Sequence, residues 1–180
     1  MAFMRLATAA AAVMLVAAAV ADDRQGDDAH ASKTLAVGGL VKAPMTLDVD
    51  ALQAMPVTVI DEIVMCSPRR VKYVGKDYRG VLLRDILDAA EVDDDVRHSR
   101  NYTYVIASAT DGYQVMFSLQ ELRNTPVGDQ VLVYYEKNGE PLGTEQGLIA
   151  LVSAGDYSRC HRHVRWLNRI EVHRHGATAP

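Results

Sequence analysis

Cysteine is scarce: the chain has two in 180 residues. That excludes a disulfide-stapled mini-protein and a four-cysteine zinc site. An excess of basic charge is missing as well. Lys plus Arg is 19 and Asp plus Glu is 23, a net charge of −4, so there is no basic face of the kind a general nucleic-acid binder needs to neutralise phosphates. GxSxG, a Walker loop, GxGxxG, HExxH and haem or flavin motifs are absent. So are internal repeats and low-complexity linkers. What remains is 49% hydrophobic residues in a length that suits one domain, enough to bury a core.

The first 21 residues stand apart. Arg5 precedes an apolar, Ala-rich run from Leu6 to Val20, and Ala19-Val20-Ala21 offers small residues where a signal peptidase reads. The run is 15 residues long, short of the roughly 20 a membrane-spanning helix needs, and acidic Asp22 and Asp23 follow it. Residues 1–21 therefore read as a secretory signal peptide, the other reading being an uncleaved anchor. Removing them takes Lys plus Arg from 19 to 18 against 23 acidic residues, a net charge of −5. No later segment is apolar enough to span a membrane. The expectation is an exported protein of a bacterial periplasm.

Residues 22–33 are polar and read as a flexible leader. From Thr34 the pattern is that of an α+β domain with mixed sheets and one main helix. Strands are expected over Thr34–Val41, Val57–Met65, Val71–Tyr78, Asn101–Ser108, Tyr113–Phe117, Gln130–Glu136, Gly147–Val152 and Val164–Val172. Asp48 caps a short helix that Pro56 stops. Ser118 and Glu121 form a capping box for another. The main helix is expected over Val81–Ala90, where apolar residues fall at helical spacing. Asp111-Gly112 and Asn138-Gly139 are turn signals. Residues 173–180 read as a tail.

Two places concentrate chemistry. Cys66 ends the most β-like run and is followed by Ser67-Pro68-Arg69-Arg70, whose guanidiniums favour a thiolate, the form that binds a soft metal. Cys66 can equally be a small buried residue or half of a disulfide with Cys160. The second place is Gly155–His163 with Arg165 and Trp166. There Asp156, Tyr157, Arg159, Arg162, His161 and His163 gather a carboxylate, a phenol, two guanidiniums and two imidazoles. Arginine forks suit a phosphate or a planar polar ring, Asp pairs with an amidine-like edge, and Tyr157 and Trp166 can stack on such a ring. The alternative is a solvated charged loop. His161, His163, His173 and His175 have His-x-His spacing, a weak metal signal.

The order of the pieces resembles the molybdopterin-binding domain of the sulfite oxidase type over residues 34–172. The Gly-Gly strand comes first, then the strand ending at Cys66. Gly80-Val81-Leu82-Leu83-Arg84-Asp85-Ile86-Leu87, Asp111-Gly112-Tyr113, Asn138-Gly139-Glu140-Pro141-Leu142 and Trp166–Val172 follow. The resemblance implies that fold, a pterin groove between residues 66–73 and 156–166, and Cys66 in the position of a molybdenum ligand. It also includes short exported proteins that bind a free pterin and signal to a membrane-bound cyclic-di-GMP enzyme. The chain is shorter than a full catalytic domain, and the family's Gly-x-Lys-type loop is replaced by Asp156–His161.

Three functions follow. In the first, a periplasmic sensor binds a pterin: Tyr113, Tyr157 or Trp166 stacks on it, Asp111 or Asp156 accepts its N–H protons, and Arg69, Arg70, Arg159 or Arg162 holds its carbonyl or phosphate. In the second, a molybdopterin-dependent oxidoreductase uses Cys66 as metal ligand and passes electrons to a separate partner. In the third, a Cys66–Cys160 disulfide stabilises an interaction domain.

Overall fold

A computed structural model describes residues 30–66, 72–94, 99–157 and 161–176, with the backbone alone at 65, 66, 72 and 73. The expected signal peptide, Arg69, Arg70, Arg159 and Cys160 lie outside the described residues. In chain order the elements are β1 (Leu35–Gly39), β2 (Met45–Leu47), α1 (Val49–Gln53), β3 (Thr58–Cys66), β4 (Lys72–Leu82) and α2 (Leu83–Ala89). Then come β5 (Thr103–Ala109), β6 (Gln114–Ser118), α3 (Leu119–Asn124), β7 (Val131–Lys137), β8 (Glu140–Pro141), β9 (Ala150–Ser153), β10 (His163–Val164) and β11 (Leu167–Arg174). One sheet has the order β2-β1-β11-β5-β6 and is mixed, because β1 runs parallel to β11. The other has the order β10-β9-β7-β4-β3, with β8 beside β7, and is antiparallel. The α+β expectation holds, with one mixed and one antiparallel sheet.

The run Val131-Leu132-Val133-Tyr134-Tyr135 is buried at every position because β7 is central and both its faces are covered. Val131, Val133 and Tyr135 join the main core, where they meet Val37, Val105, Phe117 and Ile170 of the other sheet and Leu83, Ile86 and Leu87 of α2. Leu132 and Tyr134 face the other way, into a second cluster with Ile63, Tyr78, Leu82, Leu142, Ala150 and Val152.

Local signals explain the ends of several elements. Asp48 accepts from the Ala51 N–H at 2.8 Å. Ser118 Oγ accepts from the Glu121 N–H at 3.0 Å while Glu121 Oε2 accepts from the Ser118 N–H at 3.3 Å, the reciprocal capping box expected from the sequence. Ser118→Ala should cost about 1 kcal/mol, read as a lower urea midpoint at unchanged slope; no change would mean that water replaces the cap.

The structure corrects several boundaries. The main helix begins at Leu83, because Val81 and Leu82 pair with Val133 and Leu132 of β7 and so extend β4. The three α-helices of the described residues are all short, and α2 is the longest at seven residues. The expected last strand is two strands in different sheets. They are separated at Trp166, whose φ of 52° turns the chain. The expected tail contributes His173 and Arg174 to β11, opposite Tyr104 and Thr103. The end of the expected flexible leader is docked: Ser32 is buried and its Oγ donates to the Leu167 carbonyl at 2.7 Å, and Thr110 Oγ1 donates to the His30 carbonyl at 2.6 Å.

Candidate functional site

The connection from β9 to β10 is closed across its base. The Ser153 N–H donates to the Arg162 carbonyl at 3.0 Å, and Ser153 Oγ donates to Asp156 Oδ1 at 2.8 Å. Arg162 does most of the fastening. Its Nε donates to Asp156 Oδ2 at 2.7 Å, its Nη2 to Asp156 Oδ1, and its Nη1 to Glu121 Oε1 at 2.8 Å. The guanidinium also lies 4.5 Å from the centre of the Phe117 ring, a cation–π contact. Its pKa stands above the ordinary value, chiefly through the hydrogen bonds to Asp156, with burial opposing and Glu121 adding.

The other expected site residues fall into different environments. Tyr157 is fully exposed. Tyr113 is partly exposed, and its hydroxyl donates to the His161 carbonyl, which brings the β5–β6 turn against this loop. Asp111 shapes that turn, accepting from the Tyr113 N–H at 2.9 Å. Trp166 is buried, with Nε1 donating to the Thr144 carbonyl at 2.7 Å. Its ring is covered by Arg165 at 4.3 Å and by the His30 ring at 5.4 Å.

Sequence reasoning missed a polar cluster on the second face of the antiparallel sheet. There the Tyr134 hydroxyl lies 2.8 Å from His163 Nε2 and 3.3 Å from Gln146 Oε1. The Tyr78 ring meets the Tyr134 ring edge-on at 5.1 Å, and Lys137 Nζ sits 5.4 Å from the Tyr78 ring centre. Burial lowers the His163 pKa to about 4, helped by nearby Arg165 and Lys137. The available signal was Tyr134, a hydroxyl inside a strand too apolar to have a wet face. His173 stacks on Tyr104 at 5.5 Å. Among the described residues no group of three His, Cys, Asp or Glu side chains lies together as a metal site would require.

Strand register decides which of the expected residues share a site. Leu82 is level with Leu132, and Leu132 with Val152, next to the β9–β10 connection. Cys66 pairs with Lys72, ten residues back along β4 from Leu82, a contour of roughly 33 Å. β3 and β10 are also opposite edges of the sheet. Cys66 and the Asp156–Arg162 segment therefore do not flank one groove. The reason is the antiparallel β3–β4 hairpin, which carries Cys66 away from the end where β9 enters its loop. A single molybdopterin with its metal at Cys66 and its pterin on Asp156 and Arg162 does not fit this arrangement.

A family model described as "Oxidoreductase molybdopterin binding domain" matches residues 25–180. The comparison with curated proteins returned no match. Among solved structures, the sulfane dehydrogenase SoxCD from Paracoccus pantotrophus is similar in fold. The TM-score is 0.61 and the identity 19%, over 78% of this chain and 38% of that one. The chain thus spans well under half the length of that neighbour.

Proposed function

We propose a function from the premise that this chain belongs to the oxidoreductase molybdopterin-binding domain family: it is an exported periplasmic protein that binds a free pterin and reports its binding to a membrane-bound cyclic-di-GMP enzyme. The pterin itself is supported by the family match, and the observation that favours a pterin without metal is the separation along the ladder between Cys66 and the Asp156–Arg162 segment. A pterin is far shorter than that distance, so a ring held at the loop leaves Cys66 out of its site. The export part rests on residues 1–21, and the signalling part on the resemblance to short periplasmic pterin binders.

A second reading draws on the family's description as oxidoreductases and on the sulfane dehydrogenase fold likeness. In it the protein holds molybdopterin through Cys66 and hands electrons to a separate carrier. Cys66→Ser separates the two. Under the pterin reading, calorimetric titration with reduced and oxidised biopterin should give affinities within about twofold of wild type, since only contacts that are lost change ΔG. Under the oxidoreductase reading, molybdenum should co-purify with wild type and disappear in the variant. Intact mass of the exported protein checks the first 21 residues; a mass that retains them counts against cleavage.

A further inference from the structure

Tyr157 and Arg162 stand at opposite extremes of the same loop. Tyr157 leaves its whole ring in water, although an aromatic ring gains most from burial. Arg162 has all three guanidinium nitrogens committed to carboxylates and one face on Phe117. Asp156, one residue before Tyr157, receives both Arg162 and Ser153. Glu121, the second partner, also accepts from the Ser118 N–H, so the loop is tied to the start of α3.

We propose that Arg162 is a positioning residue of the pterin site: held between Asp156 and Glu121, it fastens the chain at Asp156, and the fully exposed Tyr157 ring beside it is open as a stacking face for the pterin. The inference rests on the pterin reading above. A ligand-gripping arginine presents a free fork, whereas all three nitrogens of this one already bond carboxylates inside the protein, two of them in a bidentate pair on Asp156. A stacking residue, by contrast, gains when the chain that carries it is fastened before the ligand arrives, because less loop freedom is lost on binding. Tyr113 supports the same segment from the other side through the His161 carbonyl.

The test is calorimetric titration of the whole exported protein with tetrahydrobiopterin, together with amide hydrogen exchange in the unliganded state. Arg162→Lys and Glu121→Gln should each weaken binding about tenfold, and the double variant should be no weaker than the worse single, because both break one linkage. Tyr157→Ala should weaken binding about tenfold and Tyr157→Phe should restore it, since stacking needs the ring and not the hydroxyl. Exchange should rise at Ser153–Tyr157 and His161–His163 in both clamp variants. Wild-type affinity in Glu121→Gln with a loss in Arg162→Lys would mean that Arg162 touches the ligand, which overturns the positioning role. Faster exchange at unchanged affinity overturns it too, leaving a structural clamp. If wild type binds neither tetrahydrobiopterin nor biopterin, the pterin reading itself fails, an outcome distinct from either of those.

Discussion

Leu83→Asp or Ile86→Asp should cost about 4 kcal/mol or more, a large share of the roughly 5–15 kcal/mol that holds an ordinary domain folded. Leu83, Ile86, Leu87 and Ala90 lie three and four residues apart on α2 and its cap, and all four are completely buried. Each apolar side chain gives up about 1.5–3 kcal/mol of transfer free energy when lost. A carboxylate in its place must also be desolvated or take up a proton. Ala89→Asp is the control: the same charge on the same helix, but at an exposed position, should change stability by less than about 1 kcal/mol. Urea unfolding by circular dichroism reads all three. Equal midpoints for the buried and exposed variants would mean that α2 does not pack on the sheets as described.

That face was legible in the sequence because helical spacing is local and needs no knowledge of the partner. The same holds for the turns. Gly112 and Gly139 adopt φ of 86° and 77° in the two signalled hairpins, a conformation in which glycine avoids a Cβ clash. The capping box was equally readable. What stayed hidden depends on partners remote in sequence. The polar stretch ending at Lys33 reads as flexible, yet Ser32 reaches a carbonyl 135 residues away. Nothing in Arg165-Trp166-Leu167 announces that a bulky residue takes a left-handed φ. That turn is held by the Trp166 N–H on the Gln146 carbonyl at 2.8 Å and by the indole on Thr144.

The candidate site was legible in composition and not in arrangement. Counting guanidiniums, carboxylates and rings between Asp156 and Trp166 finds a chemically rich segment. It cannot tell that Arg162 and Asp156 satisfy each other, since the third member of the network, Glu121, lies 41 residues away from Arg162. Nor can it tell that Cys66 belongs to the far end of the sheet, which only the register of β3, β4, β7 and β9 reveals. His163 is the sharpest instance. As half of a His-x-His pair it hints at a metal, but its Nε2 is engaged by the Tyr134 hydroxyl on a sheet face closed by Leu142 and Gln146.

That burial makes stability depend on pH in a definite direction. His163 has an ordinary pKa of 6.5 that falls to about 4 in the folded protein, first through loss of hydration and then through the positive charges of Arg165 and Lys137. Between those values the unfolded chain binds a proton that the folded chain refuses. Unfolding free energy therefore rises with pH across this window. The contribution is complete above about pH 6.5, is lost as pH falls toward 4, and amounts to about 3 kcal/mol in all. Carboxylates that are paired in a fold also weaken it in acid, so the wild-type curve alone does not isolate the histidine. His163→Gln does: a neutral side chain that can still bond the Tyr134 hydroxyl removes this titration and leaves the carboxylates in place. Urea unfolding of both proteins at intervals from pH 4 to 7.5 should show curves whose difference grows by about 3 kcal/mol across the window and is flat above it. Parallel curves would mean that the imidazole is protonated as readily inside the fold as outside, and that Tyr134, Arg165 and Lys137 do not enclose it as the structure describes.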